Sequence, residues 1–214
     1  MVAHIDISPG STSWFRLARR ARILAALTLI WLAIEGAIGV VAGLLAGSIA
    51  LVAFGLDSAI EGLASVIVIW RFTGARTISA DAERRAQKWV AVSFFLLAPY
   101  VAAEAIESLI EGTAAETSWL GIGLTAGTLV LCPWLGRAKQ RIGEKIGSRA
   151  TYGEGTQNVL CAILAGAVLV GLAANTLLGL WWIDPAIALA ISASCVREGQ
   201  KAWRGEQCGC ATCS

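Results

Sequence analysis

Histidine is almost missing from this chain: there is one in 214 residues, His4, near the start. A site built on imidazoles is thereby excluded, and any metal or proton chemistry falls to carboxylates, amides and thiols. Charge is scarce as well. Only 15% of residues are Asp, Glu, Lys or Arg, against 57% hydrophobic, and the mean hydropathy is +0.69. A soluble domain of this length must face water and has no use for so much apolar surface. The composition points to an integral, multi-pass membrane protein. Also lacking are a catalytic nucleophile beside its base, a phosphate-binding glycine loop and a nucleic-acid surface, so no enzyme and no nucleic-acid partner is expected. The opening "MVAHIDISPGSTSWFRLARRAR" has no early apolar core with a small-residue cleavage site, which argues against a removable signal peptide. Residues 1–13 are polar and expected to be poorly ordered, and His4 among them is read as incidental.

Apolar stretches able to cross a bilayer at roughly 20 residues each run about Ile23–Leu45, Ser48–Phe72, Trp89–Ile110, Trp119–Leu135, Thr151–Leu178 and Trp181–Trp203. The expected fold is all-α, with six transmembrane helices. Residues 1–22 form a cytoplasmic segment, 23–204 the membrane domain and 205–214 a Cys-rich tail. All 17 Lys and Arg residues then fall on one side. They sit before the first span, between the second and third (Arg71 to Lys88), between the fourth and fifth (Arg137 to Arg149) and at the end (Arg197, Lys201, Arg204). The opposite connections, "GLLAGS", "EGTAAETS" and "GLWWID", contain none. The positive-inside rule puts both termini in the cytoplasm, and the expected location is the plasma membrane. Trp residues gather near the predicted interfaces, as an aromatic belt requires.

Within the second span, "FGLDSAIEG" places Asp57 and Glu61 four residues apart, on one helical face. Asp57 lies about 14 Å from the turn at Ser48, and Glu61 about 15 Å from Arg71, at the helical rise. Both are near mid-depth, where a single Asp costs about 2.5–3.5 kcal/mol. Protonated polar glue between helices is one reading. A site for a cation that supplies the missing counter-charge is the favoured one. On the fifth span, "GTQNVLCAIL" sets Gln157 and Cys161 at the same spacing, with Asn158 beside them. If these antiparallel spans pack together, Asp57 faces Cys161 and Glu61 faces Gln157, a four-coordinate cage. Alone, Gln157 and Cys161 are weak signals, since a buried Cys is commonly a small core residue.

The chain resembles the cation diffusion facilitator family of divalent-metal transporters over about residues 23–204. The resemblance rests on "EGAIGVVAGLLAGSIALVAFGLDSAIEGLASVIVI" and "NTLLGLWWIDPAIALAISASCVREG". The family's second-span pair corresponds to Asp57 and Glu61. Its fifth-span His and Asp, counted back from Asp184, correspond to Gln157 and Cys161. The resemblance implies export of a divalent transition metal, zinc foremost, from the cytoplasm against protons by alternating access, with a homodimer as the usual assembly. The metal is substrate, and no prosthetic group is expected. The chain departs from the family at Gln157 and Cys161, and as a short form without the cytoplasmic metal-binding domain. Metal identity, proton coupling and dimerisation are therefore not carried over with the rest.

Other residues allow more than one role. Glu35, central in the first span, reads equally as a supporting acid, a proton step or a polar contact to the second span. Glu104 and Glu107, with Glu111 and Glu116 beyond, read as an acidic exit or as surface acids, Glu104 being the deepest. Cys208, Cys210 and Cys213 form a C-x-C-x-x-C tail suited to metal capture in a reducing compartment. The runner-up function is accordingly a membrane-embedded metal or thiol-redox sensor, and a third is a purely structural membrane subunit. Cys132 and Cys195 read as packing residues, and Pro133 as a kink or the end of the fourth helix.

Overall fold

A computed structural model describes residues 8–46, 49–112, 119–178 and 182–205. The tail cysteines Cys208, Cys210 and Cys213, His4 and Glu116 lie outside the described residues. Six α-helices follow one another: α1 (Thr12–Ala46), α2 (Ile49–Arg71), α3 (Ala80–Glu111), α4 (Trp119–Ile146), α5 (Arg149–Leu178) and α6 (Ile183–Arg204). A short 3-10 turn, Gly74–Ile78, joins α2 to α3. The fold is all-helical, as the hydropathy pattern predicts. Among the described residues, α1 and α3 are long and apolar enough to cross a membrane, with mean hydropathies of 2.2 and 1.7 over their best stretches.

Two boundaries differ from expectation. The first helix starts at Thr12, eleven residues before Ile23, because Ser11 accepts from the Trp14 amide and caps it. Trp14 then packs inward, edge-on to Phe72, and its indole N–H donates to Ile146 O at 3.3 Å. The fourth helix runs to Ile146 with Pro133 inside it, so the proline does not end it. The basic connection read between the fourth and fifth spans is therefore mostly helix. Only Gly147 and Ser148 separate α4 from α5. Gly147 takes a left-handed φ of 67°, and Ser148 Oγ accepts from the Thr151 amide at 3.3 Å.

Helices pair closely where glycines meet. A Cβ on Gly55 of α2 would stand 2.7 Å from Gly36 O and from Val40 N of α1. A Cβ on Gly155 of α5 would stand 2.7 Å from Gly136 O and 2.9 Å from Gln140 N of α4. The second set repeats the first at a fixed interval of one hundred residues (36 to 136, 40 to 140, 55 to 155). The helix pairs α1–α2 and α4–α5 that open the two halves are thus built on one plan. Three helices per half is an odd number, so the halves run in opposite senses, which is the arrangement of inverted repeats.

The interior holds an apolar core, with Val68, Val90 and Phe94 fully buried, and beside it a polar cluster of a kind water-soluble proteins rarely bury. One face of α1 exposes Ile23, Leu27, Ile30 and Ile34, at helical spacing, while Thr28 and Glu35 of the same helix are buried. Asp57, Glu61, Lys139, Glu154, Gln157 and Asn158 are buried too. An apolar exterior around a partly polar interior suits lipid outside and a hydrophilic substrate inside.

Candidate cation site

Asp57 and Glu61 project from α2 into the interior, two residues and six residues beyond the contact that presses Gly55 onto α1. The repeat register places Gln157 and Cys161 at the corresponding positions of α5, one hundred residues on. The expected facing of Asp57 with Cys161 and of Glu61 with Gln157 is corrected: Cys161 hydrogen-bonds Glu61 and also meets the thiol of Cys132 on α4, while Gln157 meets Ser93. Cys132 is fully buried. The reading of Cys132 as mere packing is corrected here: its sulfur belongs to the surroundings of Cys161. Cys195, on α6, packs in the apolar core with Ile191 and Phe94, as expected of a packing residue.

Gln157 is held from α3. Its Oε1 lies 3.3 Å from Ser93 Oγ, and its Nε2 is buried without a partner. Ser93 has one hydroxyl proton, and Val90 O takes it at the shorter distance of 2.8 Å. Turning the amide over lets the nitrogen donate to Ser93 Oγ and moves the oxygen to the unpartnered position, where it can ligate a cation.

The carboxylates themselves are not fully paired. Asp57 Oδ1 and Glu61 Oε2 are buried and accept no hydrogen bond. Such groups are uncommon in native structures and call for an explanation. Among the described residues, neither forms an ion pair with Lys or Arg. The electrostatic neighbours of Asp57 are other acids, Glu35 and Glu104, while Glu61 faces Asp57 and Glu35 and also feels the Lys139 ammonium one turn away. A compact M²⁺ would satisfy these oxygens and offset their mutual repulsion. Among the described residues, no three His, Cys, Asp or Glu side chains already stand as a closed metal cage.

Glu35 makes polar contacts to two other helices. It accepts from Ser58 Oγ on α2 at 3.3 Å and from Thr128 Oγ1 on α4, and the Trp31 indole donates to Thr128 at 3.4 Å. It is a polar tie between α1, α2 and α4. Glu104 accepts from Tyr100 Oη at 2.8 Å one turn earlier on α3, while Glu111 ends that helix. Asn158 does not join the carboxylates; its Oδ1 accepts from Lys139 at 2.8 Å. Lys139 and Glu154, both unread as site residues in the sequence, form a completely buried ion pair at 2.6 Å. A signal for Glu154 existed: 154, 157/158 and 161 fall on one face of α5.

Comparison with known proteins agrees with this architecture. The family model of the cation efflux transmembrane domain matches residues 23–199. Transmembrane protein 163 of Xenopus laevis is 25% identical over 152 residues, 69% of this chain and 53% of that protein. The chain thus spans about half the length of the curated relative it matches.

Proposed function

The chain belongs to the cation efflux transmembrane family, and from that premise we propose that it carries a divalent transition-metal ion across a membrane at a site between α2 and α5. Asp57, Glu61 and Cys161 supply anionic ligands, and Gln157 a neutral oxygen. The observation that carries this reading is the pair of buried carboxylate oxygens, Asp57 Oδ1 and Glu61 Oε2, that accept no hydrogen bond.

The chemistry follows from the donor set. Carboxylate with thiolate suits zinc and similar borderline ions. Metal binding requires deprotonated ligands, so protons and metal compete for the same atoms. Exchange of the two, first from one side and then from the other, is an antiport cycle. With no His in the site, Asp57 and Glu61 carry the exchange. All six helices cross the membrane in this reading, with the Lys and Arg clusters and both termini on the cytoplasmic side, and export is outward through the plasma membrane.

The test is metal flux into sealed proteoliposomes, with zinc, cadmium, manganese, iron and cobalt offered in turn. Asp57→Asn or Glu61→Gln removes one negative ligand while keeping shape, and either should abolish flux. Wild-type rates in both variants would remove the basis for the site.

A further inference from the structure

One turn from Glu61 and Cys161, toward the α4–α5 hairpin, stands a second polar cluster that the transport site does not use. At its centre is the ammonium of Lys139, with 0% of the side chain exposed. Each of its three protons has an acceptor: Glu154 Oε1 at 2.6 Å, Thr28 Oγ1 at 2.7 Å and Asn158 Oδ1 at 2.8 Å. Ser65 Oγ donates to the same Glu154 oxygen at 2.7 Å. The cluster therefore draws one residue from α1, one from α2, one from α4 and two from α5. Oxygen ligands from α1 and α5 converge on one positive centre, with Ser65 of α2 bracing Glu154; they form a cation cage, and its occupant is the chain's own.

Two features separate this cage from an ordinary buried ion pair. First, Glu154 Oε2 is buried and accepts nothing. A buried pair is stable only when its remaining lone pairs are satisfied by further hydrogen bonds, and here one carboxylate oxygen is left over. Second, the cage is in register with the transport site on both helices. Glu61 and Ser65 are one turn apart on α2, and Glu154, Asn158 and Cys161 follow one face of α5. An ion moving along that face from the hairpin end meets Glu154 before it meets Glu61.

We infer that Glu154, Asn158, Thr28 and Ser65 are a second site for a divalent cation, and that Lys139 is the resident ion which an entering metal displaces. The inference rests on the transport reading of Asp57 and Glu61, and deepens it. An all-oxygen donor set distinguishes this cage from the thiol-bearing site beside it, and suits harder ions such as manganese. The lysine cannot stay when a metal enters, because both positive charges would claim the same carboxylate in a low-dielectric interior. On a four-carbon stem the ammonium can swing away and return. It thereby keeps Glu154 neutralised while the cage holds no metal.

Equilibrium dialysis of the full-length protein in lipid nanodiscs, with manganese(II) as probe, tests this. At a manganese concentration just sufficient to fill the transport site, below that needed to displace Lys139, wild-type protein should bind one ion per chain, Lys139→Gln two, and Lys139→Gln with Glu154→Gln one again. Lys139→Arg keeps a cation in the cage and should match wild type. In an Asp57→Asn/Glu61→Gln background, Lys139→Gln should restore a single ion that Glu154→Gln removes. The two readings fail separately. If that double substitution leaves wild-type binding intact, the transport site is wrong. If it abolishes binding but folded Lys139→Gln gains no Glu154-dependent ion, the second site is wrong. A measurement on the unmutated chain guards against misfolding: saturating manganese should raise reductive methylation of Lys139, read by peptide mass spectrometry, severalfold. Unchanged labelling under saturation overturns the displacement.

Discussion

Substituting Gly155 by alanine should part α4 from α5, and the structure gives the size of the effect. The added Cβ would stand 2.7 Å from Gly136 O, 2.9 Å from Gln140 N and 3.0 Å from Gln140 Cγ. Two of these three are backbone atoms, so no side chain can turn away to make room. Relief to the edge of ordinary contact, from 2.7 Å to 3.4 Å, asks for a shift of about 0.7 Å in one helix. Overpacking of this kind costs typically 1–3 kcal/mol, and the backbone contacts place Gly155→Ala toward the upper end. Against that stands the gain from replacing a helical glycine by alanine, roughly 0.5–1 kcal/mol. The net is a loss of about 1–2 kcal/mol, or some 2–8 °C in melting midpoint at about 2–4 °C per kcal/mol for a chain of this size. Gly123 on α4 supplies the control, since a Cβ there meets nothing within 4 Å. Gly123→Ala should raise the midpoint by the propensity term alone. The assay is thermal denaturation of both variants in one detergent. Equal or higher stability in Gly155→Ala would refute the close backbone approach, and with it the repeat register drawn from it.

Other substitutions test separate parts of the molecule. Glu83, at the start of α3, accepts from Arg71 Nε at 2.7 Å, Ser148 Oγ at 3.1 Å and the Ala150 amide at 3.0 Å. Glu83→Ala leaves the buried Arg71 without its carboxylate and should cost about 3–5 kcal/mol; an unmoved melting midpoint would contradict the tie. Cys161→Ser exchanges a soft donor for a hard one, so zinc and cadmium flux should fall more than manganese flux; equal losses would place the sulfur outside the coordination. Because protons compete for the anionic ligands, metal binding should weaken as pH falls, and pH-independent zinc dialysis would exclude the carboxylates as ligands. Thr28→Val removes one of three acceptors from the Lys139 ammonium and should destabilise by about 1–3 kcal/mol, a loss that Thr28→Ser should largely recover in the same melt.

Much of this molecule was legible from its sequence, for physical reasons that also explain what was not. Helix number and order follow from apolar run length, and the Asp57–Glu61 pair stands out because charge at mid-span is costly. Lys139 was hidden by a correct general rule. A lysine a few residues past an apolar run usually lies on the cytoplasmic rim, and only the continuation of α4 through Pro133 to Ile146 carries it into the bundle. Glu154 was hidden the same way, three residues into the predicted fifth span and close to Arg149. The sequence shows neither the partner that neutralises a charge nor the depth to which a helix end is drawn inward. Glu35 had three equal readings because a lone acid carries no sign of its donors, which are Ser58 and Thr128.

The repeat adds a constraint that no single residue reveals. Thr28 and Thr128 are counterparts, as are Ser58 and Asn158, and each pair is divided between the two ends of the same four-helix interior. At one end Thr28 and Asn158 hold Lys139; at the other Thr128 and Ser58 hold Glu35. The backbone plan is duplicated, but the charge is not: Asp57 and Glu61 of α2 are answered by Gln157 and Cys161 on α5. Two halves of like shape can exchange roles with little repacking, which is what alternating access demands. Unlike charges at the two closures mean that a cation meets a competitor at one end and an acid at the other. That asymmetry governs where along the interior an ion rests and how tightly. It cannot by itself set the direction of net flux, because binding energies cancel over a complete cycle and only the metal and proton gradients remain.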